Sequence, residues 1–217
     1  MDLILDSSDG AGDITLVSID GHSSEAVTID AGTGTTSVGA IGAGSEIGAV
    51  SIGSSDNGTI ILYGAITTTG AVSLDGPVSL ATGAITVDSS AGNGAIDFLH
   101  TIDGAQNLTL SSGSGAVDVN GIIGSTTAIG TLTVNASGTG TIAIEQIGDG
   151  DPVNGSLGAA IGNTSTTTLT LDGTVYKTTG AQVYTATGGD IIDITNTSNV
   201  AFTTSNTAIT FGTANIE

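Results

Sequence analysis

The segment Asp6-Ser7-Ser8-Asp9-Gly10-Ala11-Gly12-Asp13-Ile14 returns as Asp88-Ser89-Ser90-Ala91-Gly92-Asn93-Gly94-Ala95-Ile96, a displacement of 82 residues. Further along, Ile19-Asp20-Gly21 is answered by Ile102-Asp103-Gly104, and Gly32 and Gly34 by Gly113 and Gly115. Ile41-Gly42, Ile47-Gly48 and Gly58-Thr59-Ile60 likewise return as Ile123-Gly124, Ile129-Gly130 and Gly140-Thr141-Ile142. A partial third copy follows an insertion near residues 149–163 that includes Asp149-Gly150-Asp151-Pro152-Val153-Asn154-Gly155. In it, Leu74-Asp75-Gly76 and Thr82-Gly83-Ala84 recur as Leu171-Asp172-Gly173 and Thr179-Gly180-Ala181. The chain reads as one segment, 1–217, made of units 1–82 and 83–165 and a partial unit 166–217.

Inside each unit, apolar residues alternate with small polar ones in short runs closed by Gly, Asn, Asp or Ser, the pattern of half-buried β-strands. Ile14-Thr15-Leu16-Val17-Ser18-Ile19, Ala26-Val27-Thr28-Ile29, Ala71-Val72-Ser73-Leu74, Leu108-Thr109-Leu110, Leu132-Thr133-Val134 and Leu169-Thr170-Leu171 are examples. Nothing keeps helical spacing, and glycine breaks nearly every candidate helix at a cost of about 1 kcal/mol each. Short strands inside a long fixed period predict an all-β fold, a parallel β-solenoid in which two or three strands make a coil. At about 20 residues per coil the expectation is roughly four coils per unit and roughly ten in all, a rod about 50 Å long. A β-sandwich would account for the short strands but leaves the repeat unexplained.

Composition agrees with that architecture and excludes several functions. Of 217 residues, 35 are Gly, only 3% are aromatic, and Cys and Trp are absent. The expected core is Ile, Val, Leu and Ala in a narrow lumen, with glycine at the bends and Thr, Ser and Asp outside. Stacked Ser, Thr and Asn are expected to hydrogen-bond along the rod. The mean hydropathy of +0.35 separates the chain from disordered acidic segments. A net charge of −20 with a single basic residue, Lys177, argues against nucleic acid and anionic lipid as partners. The absence of cysteine removes disulfides and thiolate zinc sites. No apolar run reaches membrane-spanning length. Met1 is followed by Asp2 and the short run Leu3–Leu5, so no signal peptide is read here; the expectation is that any export signal lies outside this piece.

One group of segments carries a resemblance. Leu108-Thr109-Leu110, Gly113-Ser114-Gly115, Ile122-Ile123-Gly124 and Ile129-Gly130-Thr131-Leu132-Thr133-Val134 look like repeats of very large bacterial exoproteins of the filamentous haemagglutinin type. Above all, so does Val175-Tyr176-Lys177-Thr178-Thr179-Gly180-Ala181-Gln182-Val183-Tyr184-Thr185-Ala186. The resemblance implies a right-handed parallel β-helix, export to the cell surface or medium, and a role as stalk or adhesin. The family's amino-terminal secretion domain has no counterpart here.

Asp149 and Asp151 are the nearest carboxylate pair and read as a solvated turn, not an acid/base dyad. His22 and His100 do not fall at equivalent repeat positions and read as turn or surface residues. Asp6, Asp9 and Asp13, and Asp190 with Asp193 after Gly188-Gly189, carry hard oxygen donors beside glycine, so calcium is the one ion they suggest. Both runs depart from the Gly-Gly-x-Gly-x-Asp nonapeptide: the first lacks its opening glycines, and Ile191 replaces the third in the second. Threonine runs at Thr67-Thr68-Thr69 and Thr166-Thr167-Thr168 hint at a flat ice-binding face but are not coil-periodic. Sequons at Asn57, Asn107, Asn135, Asn154, Asn163 and Asn196 are those that a Ser/Thr-rich chain produces by chance. No catalytic, cofactor-binding or metal residue is assigned, and with one basic residue the chain is not read as a polysaccharide-active enzyme. The expected role is a structural rod or stalk of an extracellular or cell-surface protein, adhesive toward a glycan or another cell. The alternative is a self-assembling filament or surface-layer subunit stacking through its ends.

Overall fold

In the computed structural model, residues 1–22, 24–53, 58–149, 155–163, 168–186, 191–212 and 215–217 are described. Among them there are strands and no helix, and every strand pairing is parallel. The chain is a β-solenoid. Three columns of strands form three faces. On the first face Leu3, Val27, Val50, Val72, Ile96, Val117, Ile142, Leu169, Ile192 and Ile216 lie one above the next. The second face runs from Ile14 through Thr36, Ile60, Val78, Ile102, Ile123, Ile147 and Tyr176 to Phe202. The third runs from Ile41 through Ile66, Val87, Leu110, Val134, Ile161 and Tyr184 to Phe211.

The coil is larger than the strand spacing suggested. From residue 3 to residue 216 the first face makes nine steps of about 24 residues, because each coil uses three strands and three corners. The coil count is therefore slightly below the ten expected, and at about 4.8 Å per step the rod is about 43 Å long. The alternation read from sequence holds: Val27, Ile29, Val50, Ile52, Val72 and Leu74 point inward and are fully buried, while the residues between them face out. At about 25 cal/mol per Å2 of apolar surface removed from water, this continuous lumen is the main stabilising term.

The lumen also differs from the expected all-aliphatic filling. Phe98, Tyr176 and Tyr184 are completely buried, and toward the carboxyl end the rings stack along the axis. Tyr176 lies over Phe202 with centroids 5.0 Å apart, and Tyr184 over Phe211 at 5.2 Å, the two stacks meeting edge to face. Three faces enclose enough width for a ring that two could not, and like rings in register stack at one coil spacing.

Corners depend on glycine where one coil's backbone passes close to the next. A methyl group on Gly39 would overlap the Val17 carbonyl oxygen of the coil below. Gly10, by contrast, faces open space and has no positive φ. The pair gives a test: Gly39→Ala is expected to lower stability by about 1–3 kcal/mol, and Gly10→Ala to leave it unchanged or raise it by about 0.4–1 kcal/mol, both read from denaturant midpoints.

The two full units adopt the same local structure but not the same placement. Ile60 and Ile142, equivalent in sequence, are both fully buried, yet Ile60 is on the second face and Ile142 on the first. Eleven strand positions separate them, three coils and two faces, where four whole coils had been expected. The insertion near 149–163 supplies one more strand, Ser156–Asn163, on the third face. With it, Val72–Asp75 and its third-copy counterpart Leu169–Leu171 share the first face, four steps apart.

Candidate functional site

At corners the strand ladders break and backbone N–H groups lose their regular partners. There, carboxylate and amide oxygens reach to the coil above. Asp13 Oδ1 accepts from the Thr35 N–H at 2.8 Å, and Asp20 Oδ1 from Gly44 at 2.7 Å. Asn107 Oδ1 accepts from Thr131 at 2.8 Å, and Asp103 takes the N–H groups of both Thr126 and Thr127. Only an acceptor can do this, and Asp and Asn reach it with a short, stiff side chain. Of the Ser, Thr and Asn expected to hydrogen-bond along the rod, Asn107 and Asn93 do so, by accepting from the backbone of the next coil, and Asp13, Asp20 and Asp103 act in the same way.

Of the carboxylates singled out in the sequence, Asp6 and Asp13 are engaged with backbone donors. Asp6 accepts from its own corner, from the N–H and hydroxyl of Ser8, and those bonds hold its carboxyl below the usual range. Asp13 is a brace. Among the described residues, no three of His, Cys, Asp and Glu converge to hold a metal ion. Asp151, Gly188, Gly189 and Asp190 lie outside the described residues, as do Asn57, Asn154, Thr166 and Thr167. Of the described threonine run, Thr68 points into the lumen and donates to the Gly70 carbonyl, so the three residues do not form one outward face. His22 sits at an exposed corner whose N–H donates to Glu25. His100 pairs across one coil with Asp75, Nε2 to Oδ1 at 3.1 Å, a contact between residues 25 apart that spacing alone did not bring together.

Two features escaped the sequence reading. Asp97 and Asp118 are direct partners on adjacent coils of the first face, like charges side by side. Partial burial raises both carboxyls above the usual range, and Asp97 and Asp172 add to the rise at Asp118. The other is a polar network in the lumen. Gln182 donates from Nε2 to the carbonyls of Tyr176 and Thr203, both at 2.8 Å, and accepts from the Tyr184 hydroxyl at 3.0 Å. The Tyr176 hydroxyl accepts from the Gly173 N–H and donates to the Ile144 carbonyl, both at 2.9 Å. Desolvation pushes both tyrosine hydroxyls far up, so they remain donors. The segment that carries the family resemblance thus turns its Tyr, Gln and Tyr into the core, where they tie one coil to the next. Lys177, next to Tyr176 in the same strand, has a buried Nζ without a hydrogen-bond partner among the described residues.

A surface recess of about 220 Å3 is lined by Thr15, Leu16, Val17, Ser37, Gly39 and Tyr63, none of them charged. No family model, curated protein or solved structure matches the chain. Among the described residues no helix is long and apolar enough to cross a membrane.

Two measurements follow from these arrangements. A raised folded-state pKa means that ionised Asp118 costs stability above that pKa, and that the cost is relieved as pH falls through it. Asp118→Asn is therefore expected to raise the thermal midpoint at pH 7, with the advantage over the parent shrinking as the pH approaches 4. Because Asp6, Asp13, Asp20, Asp30, Asp88 and Asp103 accept from backbone donors, and no three potential ligands converge among the described residues, a calcium chelator is expected to shift the midpoint by no more than about 2 °C. Saturation of a structural site at about 100 times its dissociation constant would contribute about 2.7 kcal/mol, and its loss would be plain in the same melt.

Proposed function

We propose that the chain is a structural rod or stalk segment of an exported cell-surface protein, with adhesion to a glycan or another cell as its associated activity. The observation that supports it most is the uninterrupted stack: nine steps of one ladder with a filled lumen and the corner carboxylates spent on bracing the backbone. Such an object resists bending and proteolysis because the backbone of its described strands is hydrogen-bonded to the coil above or below. The likeness of Val175–Ala186 to filamentous-haemagglutinin repeats supports the surface location and the adhesive role. The residues of that segment are used as a coil-to-coil tie, a use consistent with a repeat kept for architecture.

The alternative is a filament subunit. It draws on the terminal coils, where Leu3, Leu5, Ile14 and Leu16 at one end and Ile209 and Ile216 at the other are incompletely covered. One experiment addresses both readings. The purified chain is incubated with protease, displayed on beads over cultured cells and immobilised glycans, and examined by electron microscopy at high concentration near its isoelectric pH of about 4.1. The stalk reading expects protease-resistant monomeric rods that hold beads to cells or glycans. Concentration-dependent linear fibres would favour the filament, and a rapidly digested chain would overturn both.

A further inference from the structure

We infer that the 82-residue unit is a growth element of eleven strands that turns by one face each time it is repeated, and that the three faces of this solenoid are interchangeable. The inference is independent of where the protein acts.

Three sets of stacked residues carry it. Leu3, Val27 and Val50 stack on the first face, and their equivalents Ile85, Leu108 and Leu132 stack on the third. Ile14, Thr36 and Ile60 stack on the second face, and Ile96, Val117 and Ile142 on the first. Ile19, Ile41 and Ile66 stack on the third, and Ile102, Ile123 and Ile147 on the second. The vertical neighbours are conserved between units while each set moves by one face in the same sense.

The corners move with them and keep their hydrogen bonds. Ser7 Oγ donates to the Gly12 carbonyl at the corner between the first and second faces, and Ser89 Oγ to the Gly94 carbonyl at the corner between the third and first. Ser8 and Ser90 make the same pair of bonds to Asp6 and Asp88. Gly32 and Gly113 adopt φ of 57° and 61°, and Gly42 and Gly124 φ of 71° and 68°. Asp20 and Asp103 brace the corner above in each unit. One bend chemistry therefore serves different corners, which is possible only where each corner turns the chain through a similar angle and hands it on at a similar height.

The turn determines what the rod displays. Val17, 81% exposed, sits at the edge between the second and third faces, while its equivalent Leu99, 40% exposed, sits at the edge between the first and second. In each case a glycine of the next coil, Gly39 or Gly121, passes against the backbone of that bend. A rod extended by this unit presents each outward feature on successive edges and has no privileged side. The strand added within 149–163 makes the following interval twelve strands and holds the third copy on the face of the first.

Two sets of variants test it. In the first, residues 7–13 and 89–95 are exchanged; interchangeable corners leave the thermal midpoint within about 4 °C of the parent, the upper end of what about 1 kcal/mol does to a chain this long. In the second, residues 6–87 are duplicated in tandem, adding eleven strands, beside a chain in which residues 72–168 are duplicated, adding twelve strands and four whole coils. The inference expects the eleven-strand chain to keep its strand circular dichroism, unfold in one transition, and lengthen by about 18 Å in small-angle scattering. A folded twelve-strand chain beside an aggregated eleven-strand one would falsify it. Should neither duplication fold, the loop exchange decides alone: a fall of well over 4 °C overturns the inference and a smaller one upholds it.

Discussion

Each described strand has its ladder partners one coil away, and none within its own coil. That single constraint organises the rest of the structure. A backbone N–H without a partner costs free energy of the order of a lost hydrogen bond, so each coil must return the chain to the same height beneath the next. Three strands and three corners of about 24 residues achieve that return, and an inward row of Ile, Val and Leu from each face closes the interior. Where ladders stop at corners, the deficit is met by side-chain oxygens, and this is where the acidic residues are used.

The same constraint explains an acidic composition that would otherwise suggest ion binding. A corner with a spare donor can be satisfied only by an acceptor, and Asp and Asn supply one at short reach. Asp13, Asp20 and Asp103 all do so across one coil. The consequence is a strongly negative surface carrying almost no basic residue, with like charges at Asp97 and Asp118 left side by side. Acid relieves that contact, so the rod is coupled to pH through its surface while its lumen is indifferent to it.

The polar network around Gln182 has a different logic. A glutamine in an apolar lumen is costly unless all its groups are met, and here two carbonyls on successive coils and the Tyr184 hydroxyl meet them. The wide three-faced lumen makes room for Tyr176, Tyr184, Phe202 and Phe211 to stack, and the network sets their height.

Strand positions, the direction each side chain faces, the absence of helix and the existence of the long repeat were legible in the sequence, because alternation and glycine spacing act over a few residues. Val72-Ser73-Leu74 reads as buried, outward, buried and is so. The number of strands per coil was not legible, since a corner and a loop look alike until the chain is closed; that is why about 20 residues per coil became about 24. Nor was the eleven-strand count, which placed Ile60 and Ile142 on different faces. Among the polar candidates, sequence did not separate a brace from a potential ligand: Asp13 and Thr35 are 22 residues apart, and only the closed coil brings them to 2.8 Å. Local pattern determined which residues are strand and which face inward, whereas the closure of each coil decided who stands above whom, because vertical partners are set by the whole length of the turn between them.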